Sequence, residues 1–186
     1  MLPTSPALIA ATGGTFDALK AGETAASSDT PTPASNPRGI LAAPDGNLWF
    51  GEVNANNIGR ITPAGVVTEF PIPTPASGPA GAAVGADGNV WFVEAAASRI
   101  GRGTQTGFLT EYPTPSANAF PIGIIAGPDG NMWFVELNVN KIGRMTPSGS
   151  VTEFAIPTPK SGPGADARGP APAYITAGPD DALWFD

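Results

Sequence analysis

The stretch Gly127–Pro159, GPDGNMWFVELNVNKIGRMTPSGSVTEFAIPTP, decides the fold. It reads as a D-G-N turn, a short strand LWFxE-like in pattern, a small polar turn, the strand KIGRM, a Gly turn, and the strand VTEFAIP running into a Pro-rich return. Asp-Gly and Gly-Asn are strong hairpin signals, and the runs of four to six residues between them are rich in β-branched and aromatic side chains. Two helices would need two stretches of ten or more residues without Pro or Gly, and the segment holds only one, Asn131–Ile142.

Working outward, the same pattern returns. APDGNLWFGE, GADGNVWFVE, GPDGNMWFVE and GPDDALWFD place a turn aspartate at Asp45, Asp87, Asp129 and Asp180, spaced 42, 42 and 51 apart. The glycine of IGR recurs at Gly59, Gly101 and Gly143, and the glutamate of T-E-aromatic at Glu69, Glu111 and Glu153, each time 42 apart. PTP begins at Pro31, Pro73, Pro113 and Pro157, a looser landmark of the loops. Landmarks that stay in phase at this period, filled by four short strands, predict an all-β protein built of β-propeller blades, with about four blades' worth of sequence. The expected units are 39–80, 81–120 and 121–164, each with strands A to D, and a half-blade over 172–186. The extra nine residues of the last spacing fall in the Gly/Pro/Ala loop Ser161–Ala173. Residues 1–38 form an N-terminal arm in which 13–33 read either as a degenerate half-blade holding C and D strands or as an arm without blade structure.

Composition narrows the chemistry. Gly and Pro number 24 and 22, which the repeats explain as turn punctuation. Sixteen acidic against nine basic residues, with no basic cluster, argue against nucleic acid, and no apolar run is long enough for a membrane helix. Cys and His are both absent. Thiolate and imidazole metal sites, Cys nucleophiles and Ser-His-Asp arrangements are thereby excluded. The N-terminus lacks the basic region and apolar length of a secretory signal, so cytoplasm is the default expectation for location.

The units resemble the virginiamycin B lyase (streptogramin lyase) family, through Gly127–Pro159 most fully and across residues 36–186 as a whole. The resemblance implies a seven-bladed propeller, of which this length holds a part. It also implies Mg²⁺-dependent C–O elimination that opens type B streptogramins, a lyase activity of antibiotic resistance. In that family the catalytic histidines stand directly after the proline that opens strand A in the late blades. Here that position holds Arg38, Ala80, Ile122 and Ala173, so the resemblance implies candidate ligand positions but no catalytic residue. The chain is therefore expected to be inactive alone, and the alternative is a non-catalytic binding or scaffold propeller.

Other recurring residues carry competing readings. Glu52, Glu94 and Glu136 end strand B just before the B–C loop, where they would either ring the channel mouth, as acids suited to a hard cation such as Mg²⁺, or cap a solvated strand end. Trp49, Trp91, Trp133 and Trp184 occupy one position and are expected between blades. Arg60, Arg102 and Arg144 are expected to pair across strands with Glu69, Glu111 and Glu153. A small-molecule or peptide-like ligand and self-association through open blade edges complete the expectations.

Overall fold

The computed structural model describes residues 7–10, 15–19, 26–157, 175–178, 180 and 182–185, with side chains from Asp29 to Trp184. It is all-β, apart from one 3₁₀ turn at Leu137–Val139. Three four-stranded antiparallel sheets repeat in order. The first blade holds β4 (Pro37–Ala42), β5 (Leu48–Glu52), β6 (Asn57–Ile61) and β7 (Val67–Pro71). The second holds β8 (Pro79–Val84), β9 (Val90–Glu94), β10 (Arg99–Gly103) and β11 (Leu109–Pro113). The third holds β12 (Pro121–Ala126), β13 (Met132–Glu136), β14 (Lys141–Met145) and β15 (Val151–Ala155). Each sheet follows chain order, so each blade is a simple meander.

The ends differ from the whole blades. β16 (Ile175–Ala177) and β17 (Leu183–Phe185) form a two-stranded sheet, the A and B strands of the half-blade foreseen at 172–186. At the other end β1 (Ala7–Ala10), β2 (Thr15–Leu19) and β3 (Ala26–Asp29) pair in the order β1-β2-β3. They stand one period before β5, β6 and β7, so this sheet carries a B strand as well as C and D. The sequence hid β1 because ALIA replaces the LWFxE pattern. The whole of the loop Ser161–Ala173, and residues 1–6, 11–14 and 20–25 of the arm, lie outside the described residues.

Strand alternation divides each blade into two faces. In the first blade the registers Trp49↔Arg60↔Thr68 and Phe50↔Gly59↔Glu69 put Trp49, Arg60 and Phe70 on one face. Phe50, Glu52, Asn57 and Glu69 lie on the other. The Trp face packs against the following blade: Trp49 and Ile58 cluster with Val90 and Phe92, and Trp91 and Ile100 with Met132, Phe134 and Met145. The IGR glycines sit where a side chain would strike the ring below, since a Cβ on Gly101 would lie 2.1 Å from Phe92.

Trp burial follows from what covers it. Trp49 and Trp91 are 0% and 1% exposed, Trp133 is half-buried, and Trp184 is 61% exposed. Trp133 lines a 470 Å³ apolar cavity with Ile142, Phe154, Ile156, Ile175 and Leu183. In the preceding interface, strands C and D of the next blade, through Met145 and Val151, help cover Trp91. The expectation of uniform core packing holds for the first two tryptophans and fails for Trp184.

Candidate functional site

The start of each A strand forms a repeated platform. Paired backbone hydrogen bonds join the D–A and B–C loops of each blade: Val53 and Asn54 N–H donate to Asn36 and Ser35, Ala95 and Ala96 to Gly78 and Ser77, and Leu137 and Asn138 to Phe120 and Ala119. A register shift follows in each A strand, and in the first and third blades it falls at Gly39 (φ +55°) and Gly123 (φ +52°). The A strands approach closely here, with the Gly39 Cβ position 3.2 Å from the Ala80 carbonyl. Bulges of this kind re-aim neighbouring side chains.

On that platform Arg38 is exposed, while Ala80 and Ile122 are partly buried; Ala173 lies outside the described residues. The sequence reading passed over Phe120. It precedes Pro121 with φ +51° and is 38% exposed, a bulky residue held in left-handed backbone at the D–A loop. An aromatic at the position where the second blade has Gly78 was the available signal.

Glu52, Glu94 and Glu136 are fully buried, each with 0% exposure, so none is a solvated strand end. Alternation turns them to the face that packs on the preceding unit, beneath the D–A loop. There each meets the D-strand glutamate of its own blade, with the first residue of strand C between them: Glu52–Asn57–Glu69, Glu94–Arg99–Glu111 and Glu136–Lys141–Glu153. The Asn57 amide donates to Glu52 Oε2 (3.2 Å) and Glu69 Oε2 (3.5 Å), and Lys141 Nζ donates to Glu153 Oε2 (2.6 Å). The D-strand carboxylates also fasten the loop that enters the blade. Glu69 accepts from Thr32 N–H and Oγ1, Glu111 from Thr74 N–H, and Glu153 from Ser116 N–H and Oγ.

Burial raises all three inner carboxyls. Glu52 is raised despite hydrogen bonding from Asn57 and Ser35. Glu94, desolvated and beside Glu111, is pushed up to about 8, and Glu136, desolvated and beside Glu153, to about 7 although Lys141 pulls it down. These triads were legible as fixed offsets of 5 and 17 residues, but composition does not say that the middle residue would face both acids.

The expected Arg–Glu pairing does not form. Arg60 and Glu69 project from opposite faces of their sheet, as the registers above require. Arg60 instead lies 5.6 Å from the Trp49 ring centre and 5.4 Å from that of Phe70. Arg102 stacks likewise with Trp91 and Tyr112, and Arg144 with Trp133 and Phe154. The turn aspartates do accept from their own turns, as expected. Asp87 takes the Asn89 amides and the Trp91 Nε1–H (3.0 Å), and Asp129 and Asp45 repeat the set. Burial opposes ionisation of Asp87, but the Asn89 and Trp91 donors outweigh it and hold the carboxyl below its usual range.

Among the described residues no three acidic side chains converge in a way that would hold a metal ion. In each blade one fully buried glutamate meets one partly buried glutamate with a cation or amide beside them, which does not suit Mg²⁺.

Successive four-stranded meanders, innermost A strands and inter-blade tryptophans define a β-propeller protein with a loop platform at one end. The sequence profile of the Virginiamycin B lyase family matches residues 9–186, and the chain belongs to that family. It is 39% identical, with a TM-score of 0.83, to a catalytically inactive histidine-to-alanine variant of virginiamycin B lyase from Staphylococcus aureus with quinupristin, covering 93% of this chain and 56% of that one. A streptogramin B lyase structure is 36% identical with a TM-score of 0.83, covering 96% and 60%. A virginiamycin B lyase from Saccharopolyspora erythraea is 48% identical over 40 residues, 22% of this chain and 13% of that protein. The chain thus spans somewhat over half the length of the solved lyases it resembles.

Proposed function

We propose that this chain is a ligand-facing part of a streptogramin-lyase-type propeller with no lyase activity of its own. The observation that carries the reading is the absence of histidine from all 186 residues. Opening the ester by elimination requires a base to remove the proton α to a carbonyl. The blade-start positions here present Arg38, Ala80 and Ile122, none of them a base at neutral pH, and the raised carboxyls of Glu94 and Glu136 lie buried under the loops. The relative with quinupristin is inactive with one histidine replaced, which supports the assignment of the missing function to that side chain. Arg38 supplies a donor for ligand carbonyls and Phe120 a ring for apolar contact.

Quinupristin incubated with the purified chain and Mg²⁺ is expected to remain intact by mass spectrometry; a linear elimination product would overturn the proposal. Calorimetric titration of quinupristin is expected to detect binding that weakens several-fold in Arg38→Ala and Phe120→Ala. No binding by the unaltered chain would favour the second reading, a scaffold propeller. That reading draws support from the repeated Arg, Trp and Glu side chains, which are engaged in holding blades and loops together.

A further inference from the structure

We propose that Glu94 in the second blade keeps its proton at neutral pH where it faces the Glu111 carboxyl, making this contact a proton-dependent latch between the blade and the loop that enters it. Glu94 is fully buried, and neither of its oxygens has a hydrogen-bond partner. The charged groups that bear on it are Glu111, from strand D, and Arg99, opposite it in strand C; from the entering loop it faces Ser77, which is itself fully buried. The Ser77 hydroxyl donates to Asn56 Oδ1 at 2.9 Å and is committed there. An ionised Glu94 would therefore lie desolvated beside a second carboxylate whose Oε1 is fixed by the Thr74 N–H at 3.0 Å. A neutral Glu94, whose O–H forms as a solvent hydronium gives up its proton and leaves water, donates toward Glu111 and removes the repulsion.

The three blades form a natural series around this arrangement. Asn57 donates as a neutral amide to one oxygen of each acid in the first blade, and Lys141 neutralises Glu153 in the third. The second blade has Arg99, for which no side-chain bond to either acid is formed. The pair there is the least compensated of the three, in keeping with the carboxyl pushed furthest up, to about 8. The linkage sign follows. An acid whose folded-state affinity for the proton exceeds its unfolded one contributes stability that is full below its unfolded value of 4.5 and is lost as the pH rises through about 8.

The full chain, Glu94→Gln and Glu111→Gln test this. Infrared difference spectra of unaltered chain against Glu94→Gln at about pH 7 are expected to show a protonated carboxyl band that disappears as the solution is made alkaline. In Glu111→Gln the same band is expected to vanish at lower pH, a shift that a purely structural role would not produce. The melting temperature of the unaltered chain is expected to fall between pH 4.5 and about pH 8, with a smaller fall in Glu94→Gln. No carboxyl band in the unaltered chain, or a band whose midpoint is indifferent to Glu111→Gln, would overturn the proposal. Where Glu94→Gln does not fold, the pH course of the band in the unaltered chain and in Glu111→Gln decides the matter.

Discussion

Arg102 of the second blade donates from Nη1 to the carbonyl of Pro147 in the third, at 3.1 Å, and Arg60 makes the same bond to Gln105 across the preceding interface, at 2.9 Å. The guanidinium is stacked on Trp91 and Tyr112 of its own blade, so one side chain couples an aromatic face to the next blade's C–D turn. The turn closes on the same rings: a Cβ on Gly149 would lie 2.2 Å from Tyr112, and one on Gly107 1.9 Å from Phe70. Arg102→Ala removes the stack and the latch together and is expected to cost about 1–3 kcal/mol in a urea melt. Arg102→Lys keeps the charge without the planar fork and should recover only part of the loss. A change below about 0.5 kcal/mol, the range of an ordinary surface substitution, would show that the latch contributes nothing.

The tryptophans should separate by position despite their shared place in the repeat. Trp91→Ala, at a fully buried inter-blade site, is expected to cost roughly 3–5 kcal/mol. Trp184→Ala, at 61% exposure, should stay within about 0.5 kcal/mol. Trp133→Ala is expected to fall between them, because the cavity beside it leaves one side of the ring without packed neighbours. Equal losses at Trp91 and Trp184 in denaturant melts would contradict this assignment of faces.

Gly101 tests the close approach within a blade. Glycine in a strand interior ordinarily weakens it, so alanine would be neutral or helpful on propensity alone. Here the added methyl would meet the buried Phe92 ring, which is packed against the first blade and has little room to move. Gly101→Ala is expected to destabilise by about 1–3 kcal/mol, the cost of overpacking a filled core. Gly101→Ala with Phe92→Leu should recover part of that loss; a stabilised single variant would refute the contact.

Period, strand type and turn chemistry were legible because each rests on local residue order: Asp87 with Asn89 announces its turn, and VWFVE its strand. Face assignment was not, because it depends on register. Glu69 opposes Gly59 and Arg60 opposes Thr68, and that one-residue difference sends the two charges to opposite sides of the sheet. The burial of Glu94 was equally hidden, since an acid at a strand end reads as solvated until the entering loop, through Ser77 and Gly78, is laid over it. Arg38 is marked by its position within the repeat, whereas Phe120 precedes the proline that opens strand A, at a place held by Asn36 and Gly78 in the other blades.

The third blade provides the opposite pH limb from the second. Burial works against ionisation of Glu153, but Lys141 and the Ser116 donors overcome it and hold the carboxyl below its ordinary range. A depressed folded-state value contributes stability that is present above the unfolded value of 4.5 and is lost as the pH falls through the lower folded one. The same Lys141 pulls Glu136 down from where burial and Glu153 would place it. Lys141→Met therefore acts on both limbs: the acid loss of stability below the unfolded value of 4.5 should become shallower, while Glu136, freed of the cation, should keep its proton to higher pH. The alkaline decline then extends further than in the unaltered chain. Melting temperatures across a pH series, at low and high salt, measure both effects. An acid limb unchanged by Lys141→Met would show that the Ser116 donors alone set the Glu153 carboxyl and that the ion pair is incidental.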